Sequence, residues 1–257
     1  RIRFGLGAVR GLGESAIQAV LEARQSGPFR DLFDFAARVD AKRVNKGVFE
    51  ALVHSGSLDS ILQPLAVSRS SAAASIELAL ERSKAATKDR NAGQSDMFGL
   101  FAAANSSKGA TVASASGDKY VEAPPWDSRE FLAFEKKALG FYLSGHPLDR
   151  YGRLSVISTA DVADQQERAK VKLAGMVEGY RERPMKTGGG KMAFFELEDR
   201  MGRIEVKVRP QQVDAFSAVL SSGEPIVLKG SIAYDRRNQD EADEENATEP
   251  TPQILLD

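Results

Sequence analysis

Three stretches of this chain have residue types and spacings that could do chemistry. The first is Arg10-Gly11-Leu12-Gly13-Glu14-Ser15, a glycine-spaced turn between an apolar segment ending at Val9 and a helical pattern that begins at Ser15. Glycine lets a backbone come close to a ligand, and free N–H groups from Gly13 to Ala16 would point out of a helix N-terminus at an anion. Leu12 turns inward in this reading and keeps the hairpin rigid. Such a helix–hairpin–helix suits the phosphates of duplex DNA, through Arg10, Gly11, Leu12, Gly13 and Ser15, and reads no base sequence. The plain alternative is a helical turn, which Gly-x-Gly serves equally well. A dinucleotide fingerprint does not fit, because the glycine spacing is wrong and no acidic residue closes a βαβ unit.

The second stretch is Tyr180 to Lys191, where Arg181, Arg183, Lys186 and Lys191 surround Gly188-Gly189-Gly190 and Phe194 follows. A cationic loop beside an aromatic suits single-stranded nucleic acid, since charge follows the backbone and a ring can stack a base. Strand alternation puts Phe195 and Leu197 on one face, so one of the two adjacent phenylalanines belongs to the core. A solvated hairpin loop is the bland alternative.

The third is Gln94-Ser95-Asp96-Met97-Phe98, in a segment with neither helical nor strand period. Met97, Phe98, Leu100 and Phe101 have no core of their own there and look like anchors for a pocket on another molecule. A Gln, a small polar or acidic residue and two apolar residues ending in Phe resemble the peptide by which bacterial polymerases and repair proteins hold the sliding clamp. A loop folding back on its own domain is the competing reading.

No catalytic constellation accompanies these stretches. Glu196, Glu198 and Asp199 lie in or beside a strand with Arg200 and Arg203, where surface pairing explains them. Ser144-Gly145-His146 lacks the turn context and third partner of a nucleophile elbow. The chain has 2 His and 0 Cys, which excludes disulfides and thiolate zinc sites, favours an intracellular, cytoplasmic setting and predicts no metal ligands. No apolar run is long enough to span a membrane. Charge is near balance overall, but unevenly spread. Residues 1–60 carry 9 basic and 7 acidic side chains, residues 170–237 carry 13 and 9, and residues 238–257 carry 0 and 7. Two mildly basic regions and one acidic block are averaged into apparent neutrality.

The elements that must position these residues follow from period and punctuation. Residues 1–64 read as short helices. One has Ala16, Ile17, Val20 and Leu21 on one side and stops at Ser26-Gly27-Pro28; others carry Phe29, Leu32, Phe33 and Phe35, then Val48, Phe49, Leu52 and Val53. Residues 65–90 read as an Ala-rich helix, and 91–123 as a flexible linker rich in Ala, Ser and Gly that holds the peptide 94–98. Residues 124–168 form a helical connector, with Phe131, Phe134, Leu139 and Tyr142 as buried candidates. From 169 to 257 the period becomes two. Strands begin at Val171, Met192, Arg203, Pro225 and Gln253, with a helix from Pro210 to Leu220 after the third. Three strands, a helix and two strands is the order of an OB-type β-barrel. The fold class expected is therefore multidomain α+β: an all-α helix–hairpin–helix module, a flexible linker and a five-stranded barrel. The acidic segment 238–250 between the last two strands should repel phosphate.

Taken together, Ile2 to Gly13, Gly27-Pro28-Phe29, Arg43-Val44-Asn45-Lys46, Gln94 to Phe98 and Glu135-Lys136-Lys137-Ala138-Leu139-Gly140-Phe141-Tyr142-Leu143-Ser144-Gly145-His146-Pro147-Leu148 resemble the C-family bacterial replicative polymerases, the DNA polymerase III alpha subunits, in their C-terminal region. The resemblance implies a fragment of a larger DNA-directed DNA polymerase whose magnesium-binding palm aspartates lie upstream of Arg1. No cofactor is expected within this fragment. It further implies that Gly11, Leu12 and Gly13 grip the primer–template duplex. Gln94, Asp96, Met97 and Phe98 would hold the bacterial sliding clamp, and the barrel would sit near single-stranded template. Other replicase subunits are implied partners; a membrane is not. Two alternatives remain open on the residues alone: a repair or recombination scaffold with the same modules, and an RNA-binding appendage.

Overall fold

A computed structural model describes residues 5–91, 119–151, 156–185, 190–235 and 251–257 of the chain. The described chain divides into two compact units, Arg1–Ser144 and Gly145–Asp257.

The first unit is all helical. A 3₁₀ turn, Leu6–Ala8, leads into α1 (Glu14–Arg24), followed by α2 (Leu32–Arg38), α3 (Lys46–His54), α4 (Asp59–Leu62), α5 (Arg69–Ala74), α6 (Ile76–Asn91) and α7 (Ser128–Leu139). Side chains start these helices where sequence provides caps. Asp31 accepts from the Asp34 amide at 2.7 Å, Asn45 from Val48 at 3.1 Å, and Asp127 from Glu130 at 2.7 Å, the last completing a capping box. Residues 65–90 hold two helices, with a break at buried Ser75. The Ser75 hydroxyl donates to the Ser71 carbonyl at 2.7 Å and accepts from the Val121 amide at 2.9 Å. Tyr120 packs edge-on against Phe33 and accepts from the Leu32 amide. Residues 120 and 121 are thus fastened to this unit.

Its core runs through Leu32, Phe35, Phe49, Leu52, Val53, Leu62 and Ile76, all essentially inaccessible. Edge-to-face contacts join Phe29 to Phe35 and Phe35 to Phe49. Two expectations about buried faces are corrected. In α1, Leu21 is 48% exposed and Ala19 is buried in its place, because neighbours crowd the Ala16–Ala19–Val20 side of the helix. In α7 the buried residues are Leu132, Ala138 and the carboxylate Glu135, while Phe131, Phe134, Leu139 and Tyr142 are half-buried. The aromatics lie along the flanks of the buried stripe rather than in it.

The second unit is an OB-type barrel. Strands β1 (Lys170–Pro184), β2 (Lys191–Glu198), β3 (Arg203–Val208), β4 (Ile226–Asp235) and β5 (Thr251–Leu256) close in the order β1-β2-β3-β5-β4, with helix α8 (Pro210–Leu220) between β3 and β4. All neighbours are antiparallel except β3 and β5. Alternation places Leu173, Phe195, Leu197, Val206, Val208, Ile232 and Ile254 inside, and Val213 and Leu220 of α8 join them. The order of elements expected from the sequence is the order found. The register of β1 against β2 shifts between Glu178 and Arg181, so one long strand serves two neighbours: its first half pairs with β4, its second with β2.

Candidate nucleic-acid interface

The hairpin of the first unit is built from its turn outward. Gly5 accepts from the Ala8 amide and Leu6 from the Val9 amide, so the apolar segment before the hairpin makes one 3₁₀ turn. Gly11 then takes φ +86°, a left-handed conformation that a side chain would strain. Leu12 turns inward, 9% exposed, beside Val9, Ala16 and Val20. Gly13, at φ −75° and ψ 159°, is the N-cap of α1 and supplies no side-chain cap. The first amides of α1, those of Glu14 and Ser15, consequently have no acceptor within the helix. A Cβ added at Gly11 or Gly13 would meet nothing within 4 Å. Internal packing therefore does not require glycine at 13, and the surface there is open to a close approach from outside. Glu14 in the first turn is opposed to an anion there.

Arg10 is exposed, and its backbone amide donates to the Ala138 carbonyl at 2.7 Å. Its guanidinium lies over Gly140, where a Cβ would stand 2.5 Å from Nη2. Gly140 ends α7 in the left-handed region, φ +88°. Past it, the fully buried Glu135 accepts the Leu143 and Ser144 amides on Oε2, both at 2.8 Å, and the Ser144 hydroxyl on Oε1 at 2.6 Å. The Glu135-to-Leu148 stretch that carries much of the sequence resemblance thus begins with a latched loop that braces the hairpin arginine. Sequence reasoning missed Glu135, since a carboxylate in an amphipathic helix reads as a surface residue.

On the barrel, register sorts the cationic residues. Arg181 of β1, Phe194 of β2 and Lys207 of β3 are cross-strand partners and form one rung on the outer face. The Arg181 guanidinium stands 5.9 Å from the centre of the Phe194 ring. Phe195 is the core residue of the pair, at 1% exposure, and Phe194 is half-buried outside. Lys207 escaped notice in the sequence, although the alternation of Ile204, Val206 and Val208 already turns it outward beside Phe194. The neighbouring rung is Glu178, Glu196 and Glu205, which is unfavourable to phosphate. Arg203 pairs with Glu196 and Glu198 at 3.6 and 3.4 Å, and Arg181 with Glu205 at 3.4 Å.

Of the expected loop cations, Lys191 pairs with Glu182 at 3.1 Å, and Arg183 is exposed with no ion pair to another described residue. Lys186 lies outside the described residues. So do Gln94, Asp96, Met97 and Phe98, and the acidic segment 238–250. Burial pushes the Tyr180 phenol up to about 12, aided by its bond to Glu182 at 3.0 Å, so this ring stays protonated beside the cationic strand ends. Among the described residues no group of three His, Asp or Glu stands ready for a metal ion, and no helix is long and apolar enough to cross a membrane.

An anion-facing hairpin on a helical unit and an OB barrel with an aromatic–cationic rung define a nucleic-acid-binding class of protein. Models of known families agree: the helix-hairpin-helix motif matches residues 1–80, and the OB-fold nucleic acid binding domain matches residues 171–248. The chain is 34% identical over 252 residues to DNA polymerase III subunit alpha of Pseudomonas fluorescens, covering 91% of this chain and 20% of that one. It is also 34% identical over 242 residues to the same subunit of Vibrio cholerae, covering 92% and 20%. Among solved structures, asparaginyl-tRNA synthetase from Pyrococcus horikoshii aligns with 40% of this chain and 22% of its own at 17% identity and TM-score 0.30, too slight a likeness to carry an argument. By sequence the chain is similar to one region of the bacterial DNA polymerase III alpha subunits. It spans about a fifth of the length of the curated relatives it matches.

Proposed function

We propose that this chain is the DNA-handling region of a bacterial replicative DNA polymerase, working in the cytoplasm. The hairpin grips duplex DNA through Arg10, Gly11, Leu12, Gly13 and Ser15. The barrel contacts single-stranded template through Arg181, Arg183, Lys186, Lys191 and Phe194. The observation that carries the reading is the open surface over Gly13 in front of the first amides of α1, those of Glu14 and Ser15, which receive no side-chain cap from Gly13 and bond to no other described residue. A phosphate oxygen can approach there, with the N-terminal end of the helix dipole behind those amides. Arg10, held over Gly140, adds a fixed positive charge beside it.

In this reading, polymerisation and its magnesium ions belong to other parts of the longer protein, and other replicase subunits join it there. Gln94, Asp96, Met97 and Phe98 would tether the sliding clamp. Burying Met97 and Phe98 would supply about 1.5–3 kcal/mol each, opposed by the ordering of the segment. Peptide binding alone would be weak, about micromolar. Because clamp and polymerase hold the same DNA, effective concentration would make the combined grip much tighter.

The test is titration of the 257-residue chain with a fluorescent primer–template duplex at several salt concentrations. Binding that weakens steeply with salt is expected; a chain that ignores duplex at low salt would overturn the reading. The clamp assignment is checked separately: Met97→Ala/Phe98→Ala should abolish binding to purified sliding clamp and leave duplex affinity intact.

A further inference from the structure

The barrel carries an apolar groove remote from the Phe194 rung, between α8 and the outer face of the β1–β4 pair. It encloses about 410 Å³. Its walls include Phe216 and Val219 of α8 and Val227 of β4, which are 38%, 54% and 55% exposed. Isolated exposed apolar side chains are ordinary; three lining one groove form a small apolar patch that a partner can cover.

The charges at its edge say what kind of partner fits. Lys172 and Lys229 both line the groove and are direct cross-strand partners, as are Ala174 and Val227 one step along the same face. Like charges placed opposite each other across an antiparallel pair destabilise it. Neither lysine forms an ion pair with another described residue, whereas Lys170, on the same edge, pairs with Asp257 at 3.4 Å. Asp257 is the groove's one carboxylate among the described lining residues, and it is thereby engaged. The pairing leaves a like-charged, positive edge on the groove, which an anionic group would relieve.

We propose that this groove docks an acidic peptide segment of a partner protein. One or two large apolar side chains of the segment fill the space between Val219 and Val227, and a carboxylate bridges Lys172 and Lys229. A volume of this size takes two such side chains. Phe216 is the one aromatic among the described lining residues and the other apolar walls are aliphatic, which favours a peptide over nucleic acid, whose successive bases need several flat aromatic platforms. The groove uses different strand pairs from the Arg181–Phe194–Lys207 rung, so both could be occupied at once.

The test is selection from a random peptide display library on the intact 257-residue chain, with Lys172→Glu and Val227→Asp chains as comparators. Selected peptides should carry acidic residues beside Leu, Phe or Met, and their affinity should fall about tenfold or more on either variant. Lys172→Glu replaces a like-charged pair with an opposite one and should keep or raise thermal stability, so lost binding cannot be lost folding. Failure to enrich, a neutral or basic consensus, or equal binding to both variants would overturn the proposal. So would displacement of the peptide by a single-stranded oligonucleotide, or self-association abolished by Val227→Asp, which would assign the groove to nucleic acid or to a second copy.

Discussion

The amide of Arg10 donates to the carbonyl of Ala138, and the Arg10 guanidinium rests on Gly140. Two stretches far apart in sequence, each singled out for its own reasons, are therefore one structure: a hairpin and the helix end that braces it. Gly140→Ala tests the brace. Its φ of +88° makes any side chain costly, by about 1–2 kcal/mol, and the new Cβ would overlap the guanidinium. Chemical denaturation should show the first unit weakened by that amount, and duplex affinity should fall as Arg10 loses its seat.

Glu135 latches the loop beyond Gly140 by accepting three bonds while fully buried. Glu135→Gln turns one acceptor into a donor facing donors. Leaving donors unsatisfied in a buried site is costly, and the expected loss is about 1–3 kcal/mol. Hydrogen exchange at Leu143 and Ser144 should rise with it, while exchange in the barrel strands stays unchanged. Unaltered protection at those two amides would contradict the latch.

His54 stacks on Phe134 at 4.4 Å and meets Trp126 edge-on at 5.4 Å. Burial holds its imidazole below the ordinary value of 6.5; Lys137 and Arg69 act in the same direction and Glu50 opposes. A base whose folded value is depressed contributes stability that is complete above 6.5 and is lost as pH falls through the folded value. Trp126 is the only tryptophan of the chain. Its fluorescence should therefore change with a midpoint below 6.5, and His54→Phe should abolish that response.

On the barrel, the rung geometry separates residues that the sequence grouped together. Phe194→Ala should weaken single-stranded DNA binding by about 1–3 kcal/mol, the usual worth of one stacked base. Lys191→Ala should matter less, because Lys191 already pairs with Glu182. Filter-binding titrations of the two variants give the comparison directly. Equal losses would mean that the loop, and not the rung, makes the contact.

Much of this arrangement is legible without coordinates, for reasons that differ by residue. Phe195 is assigned to the core by strict alternation with its neighbours, and the barrel follows from the spacing of its strands. Leu12 is placed inside by the hairpin pattern. Leu21 and Ala19 exchange places because helical period locates a face only to within a residue on either side, and local crowding decides the rest. Glu135, the seat of Arg10 and the acidic rung of Glu178, Glu196 and Glu205 depend on tertiary contact or strand register, which no local pattern contains.

Gly13 is where the account is most exposed. Its backbone angles are open to any residue, and a side chain there meets no atom of the protein. Gly13→Val should lower stability by only about 1 kcal/mol, the cost of a poorer N-cap for α1, and reduce duplex affinity about tenfold or more, since the methyl groups would stand where a phosphate must approach. The measurement is fluorescence anisotropy with a primer–template duplex, run on both proteins at one salt concentration beside their melting curves. Lost affinity with a still cooperative melt supports the hairpin as the duplex grip. Equal affinity for wild type and variant would contradict it.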